Sequence, residues 1–292
     1  MPFGDILTAM ITPFTKAGEV DYEATWNLAR SLVEHGSDGI VVAGSTGESA
    51  TLSHDEKVAM YRTVVEAVGS RAKVVAGTGT YDTRESIELT RQAAEVGAHA
   101  VMAVTPYYNK PPQEGLYRHF VAIADASDLP LMVYNIPSRT VRRIEVETIV
   151  RLAAHPRIVA IKDAVEELGF TSRTKREVPP DFVIYSGQDE LTLPILAVGG
   201  SGVVSVASHL VGPQLKRMVV AANEKDWETA RAIHLALLPL FGALFIEPNP
   251  IPLKAALNAV WGPVGEPRLP LVPAQPATLV ALEQALVIAQ SA

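Results

Sequence analysis

Cysteine is missing from all 292 residues of the chain. Disulfides, thiolate metal sites and cysteine nucleophiles are therefore excluded, and any metal chemistry would fall to His, Asp and Glu. Histidine is sparse: the seven are scattered, and no two are spaced to share a helix face as zinc ligands. No metal and no cofactor are expected. An excess of positive charge is also missing, because 25 Lys and Arg stand against 32 Asp and Glu, a net charge of -7. Such a surface repels phosphate backbones, so nucleic acid is not an expected partner. No apolar run approaches membrane-spanning length, and the opening MPFGDILTAMITPFTKAGE has an early acid and no basic segment before a long apolar core. The expectation is a cytoplasmic protein with no membrane partner.

What is present is a hydrophobic fraction of 48% with 20% charged residues, the balance of a globular chain with a sizeable core. Length alone admits one large domain or two small ones. Eight short apolar runs decide between them: ILTAMI (6–11), GIVVAG (39–44), KVVAG (73–77), AVMAVTP (100–106), LMVYNIP (131–137), IVAIKD (158–163), FVIYSG (182–187) and GVVSVA (202–207). Near-continuous apolar character without alternation marks strands buried on both faces. Between them lie amphipathic segments. In SHDEKVAMYRTVVEAVG (53–69), Ser53 and Glu56 form a capping-box pattern, and DTRESIELTRQAAEVG (82–97) opens on Asp82 and closes on Gly97. Strand and helix alternating at about thirty residues predict parallel strands with crossover helices, and eight such units close into a (β/α)8 TIM barrel. A doubly wound open sheet competes, but no GxGxxG follows the first strand. After residue 212 the strand signal stops. Helical stretches at 213–223, 225–245, 251–259 and 275–290 read as the last barrel helix and a C-terminal helical extension, dividing the chain into 1–223 and 224–292.

In such a barrel the active site lies at the C-terminal ends of the strands, which makes the run ends a shortlist. They carry Ser45 and Thr46, Tyr107 and Tyr108, Tyr134 and Arg139, Lys162, Gly187, and in the eighth run Val204. Of nine lysines, only Lys162 ends a barrel-type strand. Burial there would favour its neutral amine, the form that attacks a carbonyl, although a strand-end lysine can equally pair with Asp163 or a loop acid. Tyr134, one strand earlier, could shuttle protons or could be a core aromatic. Ser45 and Thr46, in a Gly-flanked turn, suit a carboxylate or oxyanion, or merely cap a helix. Arg139 can bind a second carboxylate or form a surface ion pair. Gathered at one end of a barrel, these groups point to an aldolase-type lyase acting on a keto acid. The Gly-rich GGSGVVSVASHLVGP (199–213) keeps a phosphosugar aldolase open, though Gly199, Gly200 and Gly202 precede their strand and read better as packing and turn residues.

The motifs TAMITPF (8–14), GSTGESATLSHDEK (44–57), AGTGT (76–80), VTPYYNKPPQEGLYRHF (104–120), YNIPSRT (134–140), IKDA (161–164), SGQDE (186–190), GGSGVVSV (199–206) and EPNPIPLKAAL (247–257) occur in order along the chain. With them the sequence resembles, end to end, the pyruvate-dependent class I aldolase superfamily typified by dihydrodipicolinate synthase. The resemblance implies a lyase of lysine and diaminopimelate biosynthesis. In it Lys162 forms a Schiff base with pyruvate, and the enamine attacks L-aspartate 4-semialdehyde. It further implies a homotetramer, a dimer of dimers. Tyr134 and Thr46 would form a proton relay completed by Tyr108 from a neighbouring subunit. Arg139 would bind the semialdehyde carboxylate, and Ser45, Thr46, Gly187 and Val204 would hold pyruvate. Two departures stand out. The GSTGE form, in place of a two-threonine motif, is shared with N-acetylneuraminate lyases, so sialic-acid and 2-keto-3-deoxy-sugar acid aldolases remain alternatives. A silent barrel that senses keto acids or lysine is a further one. A lysine-inhibition site would comprise Ser49, Ala50, His54, Glu85 and Tyr107, but Lys57 replaces a histidine and Tyr81 an asparagine of the sensitive type. A second cation at Lys57 predicts weak or absent inhibition.

Overall fold

The computed structural model describes residues 2–290. Every one of the eight apolar runs is a strand: β1 Ile6–Ala9, β2 Gly39–Val42, β3 Lys73–Gly77, β4 Ala100–Val104, β5 Leu131–Asn135, β6 Ile158–Asp163, β7 Val183–Ser186 and β8 Gly202–Ser205. They pair in parallel and in order, and β8 returns to β1 through Leu7 opposite Val204, closing the barrel. The open-sheet alternative is thereby set aside. The helices are α1 Tyr22–Glu34, α2 His54–Val68, α3 Thr83–Glu95, α4 Gln113–Ala124, the single turn α5 Pro137–Thr140, α6 Val146–Ala153, α7 Leu168–Glu177, α8 Thr192–Ala197, α9 Ser208–Asn223, α10 Trp227–Ala243, α11 Ile251–Val260 and α12 Pro276–Gln290.

Local chemistry sets these boundaries. Ser53 accepts from the Glu56 N–H while Glu56 reaches back to the Ser53 N–H, the full reciprocal cap at the start of α2. Asp82 caps α3 by accepting from the Arg84 N–H. Helix α9 begins five residues before the stretch expected from 213. Its first turn is separated by a non-helical Val211, because Pro213 has no N–H to continue the ladder across that point. At Gly202 an added Cβ would lie 2.1 Å from the Asp5 carbonyl oxygen, so this glycine lets β8 close against the chain before β1. That is a packing role.

Strand side chains alternate between two apolar layers. One lies between the barrel and its helices and includes Ile6, Ile40, Val74, Val101, Val133, Ile161 and Ile184. The other fills the barrel and includes Leu7, Val41, Val75, Met102, Met132, Tyr134, Ala160, Tyr185 and Val204. Period two therefore fixes where Lys162 points. Ala160 faces the interior, so the residue two further along β6 faces it as well, at the rim where the strands end. No helix among the described residues is long and apolar enough to cross a membrane.

Candidate active site

Lys162 is 5% exposed and stands in register between Tyr134 on β5 and Tyr185 on β7. Its Nζ lies 4.1 Å from the centroid of the Tyr134 ring. A ring face attracts an ammonium, yet burial outweighs that attraction. Loss of solvent is the main reason the Lys162 pKa falls to about 7, with the buried Asp189 opposing the fall and Arg139 adding to it. Asp163 is not its ion-pair partner. One residue on from Lys162 and so turned outward, Asp163 accepts from the Val165 N–H at 3.0 Å and from the Thr171 hydroxyl at 2.6 Å. It belongs to the strand-to-loop transition. Asp189 likewise serves a turn, accepting from the Ser205 hydroxyl and from the Val206 and Ala207 N–H groups. Its field still favours the charged amine.

Tyr134 is buried, and desolvation raises its pKa to about 12, opposed by Arg139 and by a hydrogen bond with Ser45. The hydroxyl that counts against this rise at Tyr134 is that of Ser45, while Thr46 Oγ1 accepts from Asn249 Nδ2 at 2.9 Å. Gly187 follows two residues after the inward-facing Tyr185, and an added Cβ there would lie 3.2 Å from Lys162 Cε. Its N–H donates to the Asp163 carbonyl at 2.7 Å. Val204, in the interior layer, is 1% exposed.

Ser45 also lines a cavity of about 300 Å³ whose wall includes Glu48, Arg139, Thr140, Asn249 and Leu271. Arg139, on the single turn α5, donates from Nη2 to the Asn249 carbonyl at 3.3 Å. Tyr108 is not brought to the site of its own chain: it is 91% exposed on the loop after β4, with a left-handed φ of 69°. Ser49, Ala50 and Tyr107 also line the cavity. His54 meets Gln92 at 2.6 Å, while Glu85 lies 3.6 Å from Lys57 and Tyr107 packs edge-on against Tyr81 with centroids 5.3 Å apart. The two residues that depart from the lysine-sensitive pattern are thus the ones in contact with its acid and its phenol.

Reading the sequence alone misses Asn249, Glu48, Lys254 and Arg268. Glu48 and Lys254, each with its side chain 1% exposed, pair at 2.7 Å, and the Lys254 ammonium also stands 3.9 Å from the Phe14 ring centroid. The other Glu48 oxygen accepts from the Arg268 N–H at 2.9 Å, and Arg268 forks onto Glu56 at 2.9 and 2.6 Å. Burial holds Lys254 down to about 8, against the pull of Glu48. The available signal was a lone lysine inside the apolar helix of EPNPIPLKAAL and an acid closing the GSTGE turn. Among the described residues no group of three His, Asp or Glu side chains could hold a metal ion.

A closed (β/α)8 barrel that holds an amine of lowered pKa beside a phenol at its C-terminal rim is the ground plan of an imine-forming lyase. Comparison with known proteins narrows that class: the chain belongs to the dihydrodipicolinate synthetase family, whose sequence pattern matches residues 2–289. It is 54% identical over 285 residues to the 4-hydroxy-tetrahydrodipicolinate synthase of Thermosynechococcus vestitus, covering 97% of this chain and 96% of the relative. The corresponding synthase of Heliobacterium modesticaldum is 54% identical over 284 residues, covering 97% and 95%. Among solved structures, the lysine-bound dihydrodipicolinate synthase of Cyanidioschyzon merolae superposes with a TM-score of 0.97 at 47% identity, over 99% of each chain.

Proposed function

We infer that this chain is a 4-hydroxy-tetrahydrodipicolinate synthase, condensing pyruvate with L-aspartate 4-semialdehyde. The observation that carries this reading is Lys162, a buried amine whose pKa is lowered to about 7, so that a substantial share is uncharged at neutral pH, at the rim of a family barrel. The relatives and solved structures described above are synthases, which supports this reading over the sugar-aldolase and silent-sensor alternatives.

Lys162 Nζ adds to the C2 carbonyl of pyruvate, and the carbinolamine loses water to give the imine. Loss of a C3 proton gives the enamine, whose C3 bonds to the aldehyde carbon while the aldehyde oxygen takes a proton and becomes a hydroxyl. The α-amine of the semialdehyde, once deprotonated, attacks the imine carbon, closes the ring and expels Lys162 as a free amine. Each step moves a proton, several of them at Lys162 or at the substrate oxygen, and Tyr134 stands over that amine. With a pKa of about 12 its phenol stays protonated between turnovers, able to give a proton and regain it through Ser45. In this reading Tyr108, supplied by a neighbouring subunit of a homotetramer, completes the relay. Thr46, Gly187 and Val204 shape the pyruvate end, while Arg139 at the cavity mouth takes the semialdehyde carboxylate as a bidentate partner. The setting is cytoplasmic.

Borohydride reduction in the presence of pyruvate, followed by peptide mass mapping, tests the reading. The expected result is a reduced pyruvate adduct on the peptide carrying Lys162. No adduct, or an adduct on another lysine, would overturn it. A coupled assay with aspartate semialdehyde then reads the second substrate.

A further inference from the structure

The N–H groups of Ser45, Thr46 and Gly47 meet no main-chain acceptor among the described residues, whereas those of Glu48 and Ser49 turn back to the Ser45 and Gly44 carbonyls at 3.1 and 3.2 Å. Consecutive N–H groups left over in a turn suit a carboxylate. The turn keeps this shape against local preference. Ala43 and Glu48, which bracket it, both carry a side chain and both take a left-handed φ, 52° and 55°. Such a backbone persists only where its surroundings over-determine it.

The surroundings that do so converge on the Glu48 carboxylate, which is buried behind the turn. One oxygen lies 2.7 Å from the Lys254 ammonium, and the other accepts from the Arg268 N–H at 2.9 Å. The same two cationic residues share the ring of Phe14, just after β1, with Lys254 Nζ 3.9 Å and Arg268 Cζ 4.4 Å from its centroid. Lys254 is 1% exposed and is not part of the cavity wall, so any influence it has on a bound substrate passes through Glu48. An apolar pair would hold these segments together about as well as two buried charges do. What the charges add is direction, because a carboxylate gripped at both oxygens fixes the main chain that carries it.

We propose that Glu48 and Lys254 are positioning residues that aim the N–H groups of Ser45, Thr46 and Gly47 at the carboxylate of pyruvate, with Phe14 and Arg268 holding the pair in place. The proposal rests on the pyruvate imine of the reading above and is independent of which aldehyde follows. It separates two contributions of one ion pair, its hold on the fold and its hold on the turn.

The double variant Glu48→Leu with Lys254→Met tells them apart, because it removes both charges and leaves neither unpaired. Borohydride trapping over a series of pyruvate concentrations is the readout, and it needs no second substrate. The concentration that gives half the plateau trapping rate should rise about tenfold or more, with the plateau itself within a few-fold of wild type, the pattern of lost ground-state binding. The pH midpoint at saturating pyruvate should stay near 7, since Lys162 keeps its surroundings. A folded double variant with wild-type half-saturation would overturn the proposal and leave the pair a structural part. A plateau that falls as far as the affinity, or a displaced midpoint, would also overturn it by showing damage at Lys162 itself. Should the double variant fail to fold, Glu48→Gln keeps the shape and an acceptor for the Arg268 N–H and reads the same split: a rise of about threefold or more in half-saturation at an unchanged plateau supports the proposal, and no rise overturns it. A wild type that forms no Lys162 adduct overturns the reaction and this inference together, whereas normal wild-type trapping with an unshifted variant overturns the inference alone.

Discussion

A lysine that attacks a carbonyl has to shed its proton at the pH where the protein works. With the Lys162 pKa lowered to about 7 by burial, the neutral fraction grows as pH rises through that value. The rate of imine trapping should therefore climb with pH, reach half its plateau near 7 and stay level above, as timed borohydride quenching would read. A midpoint near the ordinary lysine value, roughly 10.4, would contradict the burial argument. The same shift has a stability consequence. From about pH 7 up to the unfolded value the unfolded chain holds a proton that the folded chain lacks, so this group favours folding increasingly as pH rises across that window. Lys162 was legible in the sequence because it ends an apolar run in a repeating pattern. The division of labour between Ser45 and Thr46 was not. Which of two adjacent hydroxyls faces the tyrosine depends on the turn backbone, where Ala43 and Glu48 both take left-handed conformations at φ 52° and 55°. No propensity of Ser or Thr announces that.

At the level of elements, the turn after β2 and the start of α11 are held together by a pair of charges out of water. Removing one partner leaves the other uncompensated, which typically costs about 3–5 kcal/mol, whereas replacing both by apolar groups is often close to neutral. Lys254→Met alone should therefore lower stability by about that amount in urea unfolding, and Glu48→Leu added to it should restore much of the loss. A single variant as stable as the wild type would mean that the pair carries little. Strands and most helix starts were readable because their signals are local: β-branched runs, the Ser53 and Glu56 cap, and Asp82 before α3. The clasp was not readable, since it joins residues 206 positions apart that share no pattern, and an asparagine before a proline looks like any turn.

The whole molecule closes only when β8 meets β1, and in one chain its proton relay would still lack Tyr108, which is left 91% exposed. The proposed homotetramer would supply it, and sedimentation at assay concentrations should find that species. The same preparation should keep most of its activity in millimolar lysine. The Lys57 ammonium already lies 3.6 Å from Glu85, the acid of the proposed effector site, and would repel an effector's ammonium there. Half-maximal inhibition at micromolar lysine, or an active monomer, would contradict this account.

The order in which the chain is made gives the clasp a further meaning. All eight strands precede residue 206, yet apart from Thr12, whose hydroxyl donates to the Gly47 carbonyl, the side-chain partners named for the Ser45–Glu48 turn come afterwards, at Asn249, Lys254 and Arg268. A nascent or truncated chain ending near residue 223 would have its amine in place, but the turn beside it would lack the ties to those three residues. The reactive amine and the cavity wall that selects its partners thus become complete at different moments of synthesis, and the wall comes last.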